Sequence, residues 1–428
     1  MCGKQRTYNP FRIRTCKKPS RKSFRIRTYK KQGGGGSIGP NYGISSVLQE
    51  DFMERNVRDI LNLYNPHDPL DHAWTIPSPW YFDARVAELE QQSVFAKSWQ
   101  AVGRADQVRE RGNFFTAEIV GEPLVVARGE DGQLRAFYNV CRHHAAAVVT
   151  EPQGSAKQFR CPYHGWTYGI DGALKGMVEF EGVCDFDRAK NGLVPVNVDT
   201  WENFIFVNLD GRAAPLHDFL GTIPGVVAPL QLGKKLKFFD RRLYTLHCNW
   251  KVYVDNYLDG GYHVPHAHKS LSSVIEYTKY TIENFERACL QSSPLSSDAK
   301  SEAGVAATRQ GRAIYLWIYP NFMINAYEGL MDTNLVLPLS VDKCAVVFDY
   351  YFADISKKAA KHNRASIQVS EKVQDEDMAL CDAVQRGLGS RAYVAGRLSV
   401  RREAGEHLFH RLLHADLTGA LDRPGGTD

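Results

Sequence analysis

Two short runs, Cys141-Arg142-His143 and Cys161-Pro162-Tyr163-His164, constrain this chain more than any other feature. They read C-x-H, then seventeen residues, then C-x-x-H. Paired loops that each offer one thiolate and one imidazole suit a [2Fe–2S] cluster in which one iron takes two cysteines and the other two histidines. Histidine ligation raises the reduction potential above that of an all-cysteine cluster, so such a centre accepts an electron from a ferredoxin and passes it on. A structural zinc site usually draws both cysteines from one half of its motif and both histidines from the other, and this pattern does not. The second loop continues Gly165-Trp166-Thr167-Tyr168-Gly169 and then Asp171-Gly172. Its glycines let backbone amides turn toward the cluster sulfurs, and Asp-Gly is a hairpin signal. His144 follows His143 and is expected to flank the centre.

A second constellation lies about a hundred residues on. Asn249-Trp250-Lys251 opens a segment that includes Asp255-Asn256-Tyr257-Leu258-Asp259-Gly260-Gly261-Tyr262-His263-Val264-Pro265-His266-Ala267-His268. His263 and His268 would sit about 140° apart on an ideal helix, but Pro265 breaks the hydrogen-bond ladder and lets the chain bend. Both imidazoles are then free to converge on one ion. Two histidines and one carboxylate form the facial triad of non-haem Fe(II) oxygenases, which leaves positions open for O₂. Taken alone the pair also fits ordinary surface or core histidines; the cluster motif upstream favours the metal. His266 is expected at the surface or behind the ligands.

The triad needs a carboxylate from elsewhere, and Gln374-Asp375-Glu376-Asp377-Met378-Ala379-Leu380-Cys381 offers three. The run reads as helix with Val373, Leu380 and Val384 as an apolar stripe. Asp377 falls on that stripe and Glu376 about 100° away. An acid on a buried face needs a partner, and a metal is one. Asp377 is therefore the first choice and Glu376 the second. The plain alternative is a solvated acidic helix segment.

Composition organises the rest. The chain has 428 residues and room for two or more domains, and 43% aliphatic, aromatic and cysteine residues are ample for buried cores. No apolar run approaches a membrane span. Nine cysteines in a chain this long do not suggest a small secreted disulfide scaffold; Cys184, Cys248, Cys289, Cys344 and Cys381 read as reduced thiols. Residues 1–49 hold twelve Lys or Arg and no acid, so the formal +5 of the whole chain conceals a body of net −7. That leader reads as an organelle transit peptide or a disordered basic arm, and gives no case for nucleic-acid binding. A helix is expected around Phe52–Tyr64 and another from Glu88 toward Trp99. Strands are expected at Phe114–Ile119, Pro123–Arg128, Leu134–Asn139 and Asn203–Asn208, then at 237–247, Tyr280–Ala288, Arg312–Tyr319, Asp332–Leu337 and Cys344–Phe352. Helices follow at Ser366–Arg386 and Glu403–Leu413. The fold class is α+β. The boundaries are a leader over 1–49, a helical segment over 50–98, an all-β cluster domain over 99–210, an iron domain over 216–415 and a polar tail over 416–428.

The two cluster loops, the Asn-Trp-Lys…Asp-Asn-Tyr-Leu-Asp…Tyr-His-Val-Pro…His run and the Gln-Asp-Glu-Asp…Leu-Cys run resemble the catalytic subunits of Rieske-type ring-hydroxylating oxygenases. Residues 75 to 415 carry the likeness, and its texture is most similar to the choline-oxidising plant branch. The resemblance implies a Rieske domain followed by a helix-grip domain, an antiparallel sheet gripping a long helix. It implies Cys141, His143, Cys161 and His164 as cluster ligands and His263, His268 and Asp377 as ligands of mononuclear Fe(II). It implies reduced ferredoxin as donor, O₂ as co-substrate, and a homo-oligomer, trimer or dimer, in which one subunit's cluster serves the next subunit's iron. One oxygen atom would enter a C–H bond of choline, giving betaine aldehyde hydrate, the first step of glycine betaine synthesis, in the chloroplast stroma.

The family usually has an acid three residues before the first iron histidine. Here Gly260 stands there, which leaves Asp259 and Asp255 as candidate bridges, with Asn256 beside them. A quaternary ammonium substrate favours an aromatic cage. Tyr315, Trp317 and Tyr319 alternate, so a strand would present all three on one face, with Phe322 and Tyr327 following; ordinary core is the competing reading. Other classes compatible with the residues are a dioxygenase for an aromatic substrate, a bare Rieske electron carrier, which would not need residues 216–428, and an inactive helix-grip ligand-binding protein.

Overall fold

A computed structural model describes residues 55–273, 275–295 and 311–422. The basic leader, the first residues of the helix expected from Phe52 and the last six residues lie outside the described residues. Helix α1 (Val57–Leu61) is shorter than that expectation, ending before Asn65-Pro66. Helix α2 (Ala84–Glu90) is capped by Asp83, whose side chain accepts from Arg85 N, and continues as a π-turn through Phe95.

The first sheet is antiparallel. It consists of β1 (Gln100–Arg104), β2 (Asn113–Ile119), β3 (Glu122–Arg128), β4 (Leu134–Tyr138), β5 (Gln153–Ser155), β9 (Pro195–Trp201) and β10 (Phe204–Asn208), in the order β1-β10-β9-β4-β3-β2-β5. A small sheet of β6 (Gln158–Arg160), β7 (Thr167–Gly169) and β8 (Leu174–Gly176) carries the second cluster loop. The β7–β8 turn holds Gly172 at φ +81°, the left-handed conformation that Asp-Gly signals. Phe114, Phe137, Phe159, Trp166 and Tyr168 form the apolar core beneath both loops.

The second sheet is also antiparallel. It contains β11 (Lys237–Leu246), β12 (Thr281–Asn284), β13 (Ala288–Pro294), β14 (Arg312–Ile318), β15 (Phe322–Tyr327), β16 (Leu330–Ser340) and β17 (Lys343–Phe352), in the order β11-β17-β16-β15-β14-β13-β12. The segment Tyr280–Ala288, expected as one strand, is a hairpin: β12 and β13 pair with Asn284 opposite Cys289. Its turn, Phe285-Glu286-Arg287, contains no Gly or Pro to announce it.

Three helices cover this sheet. They are α3 (Trp250–Leu258), α5 (Ala360–Leu388) and α6 (Ala404–Leu421), with the short α4 (Val264–Ala267) between the first two. The last helix runs past the expected boundary at 415 and buries Leu417 and Leu421. On α5 the buried row is Asn363, Ser366, Ile367, Ser370, Gln374, Cys381 and Leu388. Leu380 and Val384, expected as its apolar stripe, are exposed. The inward face of this helix is largely polar because part of it lines a cavity.

Candidate active site

The two cluster loops repeat one backbone design. Cys141 N donates to Ala146 O and Cys161 N to Trp166 O, each at 2.8 Å. The carbonyls of the same cysteines accept from Ala145 N and Gly165 N, the residues of positive φ in each loop. Both cysteines are buried. The rings of His143 and His164 lie 4.7 Å apart, with His143 stacked on Trp166 at 4.7 Å. The His143 Nδ1 atom is buried with no hydrogen-bond partner, and an orphaned imidazole nitrogen beside two buried thiols is what a metal cluster would satisfy. Desolvation and the neighbouring His144 and His164 push its pKa down, which keeps the ring neutral and fit to ligate. His144 is exposed and its ring contacts His143 at 4.1 Å.

Tyr168, on β7, reaches the first loop. Arg142 N donates to its hydroxyl oxygen at 2.9 Å, which leaves the O–H to donate to Cys141 Sγ at 3.3 Å. Hydrogen bonds to ligand sulfur raise a cluster's potential by stabilising the reduced, more negative state. Tyr168→Phe is therefore expected to lower the potential in protein-film voltammetry while leaving the cluster's absorption in place; an unchanged potential would show that this hydroxyl does not tune it.

The second site gathers around α4. Asn249 caps α3, its side chain accepting from Lys251 N. The helix ends at Asp259, followed by Gly260 and Gly261, both at φ +68°. His263 and His268 flank α4 as its two caps, and Pro265 sits in its first turn, so the chain bends and brings the rings to 4.9 Å. Asp377 meets both from α5: its Oδ1 lies 3.0 Å from His268 Nε2 and 3.6 Å from His263 Nε2. Asn256 Nδ2 donates to the same oxygen at 2.9 Å. The far nitrogens are held too. His263 Nδ1 is 2.6 Å from Asp259 Oδ2, and His268 Nδ1 is 2.7 Å from Glu376 Oε2. Carboxylates behind imidazoles in this way fix the tautomer and orient the ligand nitrogen toward a metal. Burial pushes the His268 pKa down, but Asp377 and Glu376 outweigh it for a net rise; the same negative field attracts a metal cation. His266 is exposed.

One sequence expectation changes here. Asp255 does not face the histidines; it accepts from Tyr81 Oη at 2.6 Å and lies 3.0 Å from His410 Nε2, in a separate buried group with Glu406. Asp255 and Asp259 are one helical turn apart, but α3 stops at Leu258, so only Asp259 turns into the site. Gly260 is required where it stands: a Cβ there would meet Arg402 O at 2.1 Å and Ile282 Cδ1 at 2.6 Å.

A cavity of about 110 Å³ opens beside the triad. That is room for one small organic molecule. Tyr253, Tyr257, Tyr280, Tyr315, Tyr327 and Phe348 form its aromatic walls. Of the aromatic residues expected on β14, only Tyr315 reaches it. Trp317 shares the same strand face but lies under α6, packed on Phe409 at 5.6 Å, and its indole donates to Pro320 O. Tyr319, also fully buried, donates to Asp416 Oδ2. The sequence did carry a signal for the rest: Asn325, Asp332 and Asn334 are polar residues in the middle of otherwise apolar strands, and a polar residue there marks a site.

These two centres define a class. Residues 98–186 match the Rieske [2Fe-2S] domain and residues 234–419 the ring hydroxylating alpha subunit (catalytic domain). The chain is 38% identical over 380 residues to a protein of Arabidopsis thaliana named choline monooxygenase, chloroplastic, covering 86% of this chain and 88% of that one. It is 33% identical to the carnitine monooxygenase oxygenase subunit of Escherichia coli (strain K12), over 80% of this chain and 93% of that one. A solved quaternary ammonium Rieske monooxygenase superposes with a TM-score of 0.74 at 29% identity, over 85% of this chain and 99% of that one. The chain belongs to the Rieske-type ring-hydroxylating oxygenase alpha-subunit family, and it is a Rieske non-haem iron monooxygenase with a [2Fe–2S] cluster and a mononuclear iron. Among the described residues no helix is long and apolar enough to cross a membrane.

Proposed function

We propose that this protein is a ferredoxin-dependent monooxygenase that oxidises choline to betaine aldehyde hydrate, the first step of glycine betaine synthesis, in the chloroplast stroma. One observation carries the reading: the His263–His268–Asp377 group lines the same small cavity as five tyrosines and Phe348. Tyrosine faces attract a quaternary ammonium group, and a substrate seated there directs its alcohol arm toward the histidines. The names of the relatives in Arabidopsis and Escherichia coli point to the same substrate chemistry.

In this reading Cys141, Cys161, His143 and His164 hold the cluster, and His263, His268 and Asp377 hold the ferrous iron. Iron bound there supplies the reductive activation of O₂ that delivers one oxygen atom to the alcohol carbon. The protein does the remainder. Asp259 and Glu376 aim the imidazoles, and Asn256 fixes the Asp377 carboxylate. The tyrosines and Phe348 displace water around the substrate. Asp259 also extends the polar path from His263 and is the candidate bridge to the cluster of a neighbouring subunit in a homo-oligomer, in the place where Gly260 leaves no side chain.

The test is oxygen uptake by the protein reconstituted anaerobically with iron and sulfide, supplied with reduced ferredoxin. Choline is expected to stimulate uptake and yield betaine aldehyde in proportion. Stimulation by an aromatic acid and not by choline would make the protein a ring dioxygenase. Iron binding with no stimulation by either would favour a binding protein.

A further inference from the structure

We propose that the side-chain amide of Gln374 donates a hydrogen bond to the alcohol oxygen of the substrate, and so selects quaternary ammonium compounds that carry an oxygen on the arm to be oxidised. The inference rests on the quaternary-amine reading above and goes beyond it by naming the residue that reads this arm.

Among the described residues, four amide side chains line the cavity: Asn256, Asn325, Asn334 and Gln374. Three have their NH₂ groups committed to carboxylates. Asn256 Nδ2 donates to Asp377 Oδ1 at 2.9 Å, and Asn325 Nδ2 and Asn334 Nδ2 donate to Asp332 Oδ2 at 2.7 and 3.2 Å. The fourth is different. Gln374 is 2% exposed, and its Nε2 atom is buried with no hydrogen-bond partner. Its Oε1 accepts from the Tyr253 hydroxyl at 2.7 Å. Burial pushes the Tyr253 pKa far up, so the phenol keeps its proton. That single proton fixes the amide: Oε1 faces Tyr253, and the NH₂ group faces away from it. A buried N–H left without an acceptor is costly, and an acceptor brought by a ligand relieves that cost.

Placement decides which part of the ligand that acceptor belongs to. Gln374 precedes Asp377 by three on α5, so the two side chains are neighbours on one face of the helix. The donor therefore lies beside the iron group, where the reacting end of a substrate has to come. The positive end of an amide dipole disfavours an onium group and favours an oxygen lone pair. The onium group has partners of its own in the rings of Tyr280, Tyr315 and Tyr327, which come from β14, β15 and the residue before β12 rather than from α5. The first two rings stack at 6.3 Å, and Tyr327 meets Tyr315 edge-on at 6.1 Å. A trimethylammonium group is held against such rings by cation–π attraction. A substrate gripped at both ends has its carbinol carbon set against the histidines. An arm without oxygen gains the ring contacts alone and leaves Nε2 unmet, which is how a site built to hydrogen-bond its substrate rejects the analogue lacking that group.

The experiment measures dissociation constants on the full chain carrying its cluster and ferrous iron, without oxygen, by calorimetry. The probes are choline and ethyltrimethylammonium, which differs from it only by the missing hydroxyl oxygen. The unmodified protein is expected to bind choline about tenfold tighter. Gln374→Met is expected to weaken choline by roughly tenfold and ethyltrimethylammonium by less than about twofold, so that the preference disappears. Methionine strands the Tyr253 hydroxyl. The double variant Tyr253→Phe with Gln374→Met removes both partners, carries the same expectation, and decides the matter where the single variant fails to fold. Equal binding of the two probes to the unmodified protein overturns the proposal and leaves the quaternary-amine reading standing. A variant that loses both probes to the same degree, the mark of a structural role, overturns it too, as does one that keeps the preference for choline. If neither probe binds the unmodified protein, the quaternary-amine reading itself fails, and the proposal with it.

Discussion

An Asp377→Ala protein is expected to lose its mononuclear iron, and with it all substrate oxidation, while its Rieske EPR signal stays intact. Asp377 Oδ1 is the atom nearest to both His263 Nε2 and His268 Nε2 among the carboxylates around them. Removing it turns a two-His-one-carboxylate set into a bare histidine pair and removes the negative charge that favours Fe(II). Glu376 touches the opposite nitrogen of His268 and acts through the imidazole. Glu376→Gln and Asp259→Asn are therefore expected to cost about 10–100-fold in iron affinity or activity, and Asp377→Ala more than that. The proposed cluster ligands sit on loops between β4 and β7, over a core that contains none of the three substituted residues, so the cluster is expected to assemble in all three variants. Iron content by metal analysis beside the EPR signal reads both centres at once. Iron retained in Asp377→Ala and lost in Glu376→Ala would exchange the two roles.

The parts of this protein that were legible in its sequence are those whose chemistry is local. Each cluster loop places its cysteine and histidine within four residues, so spacing alone announced them. His263 and His268 were legible because Pro265 between them supplies the bend that a helix would deny. Asp377 faces inward for a reason other than hydrophobic periodicity. The residues thought to mark the buried face, Leu380 and Val384, face solvent, and the true inward row is mostly Asn, Ser and Gln. Asp377 follows Gln374 by three and precedes Cys381 by four, which sets it beside that row. A helix that lines a polar cavity hides its buried face from a hydrophobic-periodicity argument. Trp317 and Tyr319 show the complementary failure. Alternation correctly puts Tyr315 and Trp317 on one face of β14, but only tertiary packing determines that α6 covers one end of that face and the cavity the other. The β12–β13 turn lacks the Gly or Pro that would announce it. Strands β9 and β15 are flanked by such residues, Gly192 and Pro195 for one and Pro320 and Gly329 for the other, so missing punctuation does not explain their absence from the expected strands.

Glu90→Ala is expected to destabilise the protein by about 3–5 kcal/mol, the cost of stranding one member of a buried ion pair. Lys251 Nζ and Glu90 Oε1 are 2.6 Å apart, with side chains 0% and 2% exposed. Trp250 Nε1 donates to the other oxygen of Glu90 at 2.8 Å. Burial alone lowers the Lys251 pKa, and Glu90 opposes that. Without the carboxylate the ammonium group sheds its proton or stays charged in an apolar setting, and the indole N–H loses its acceptor. The pair ties α2 to α3, the helix that carries Asn256 and delivers Asp259 to the histidines, so its loss is also expected to loosen the iron site. Urea unfolding of Glu90→Ala, Lys251→Met and the double variant Glu90→Met with Lys251→Met separates the contributions. Each single variant leaves an uncompensated polar group, whereas the double variant replaces both charges by side chains of similar volume and is expected to recover most of the stability. A loss of under about 1 kcal/mol in Glu90→Ala would mean that water or another group reaches Lys251, and that α3 is held instead by the packing of Trp250 on Phe95 and Phe409.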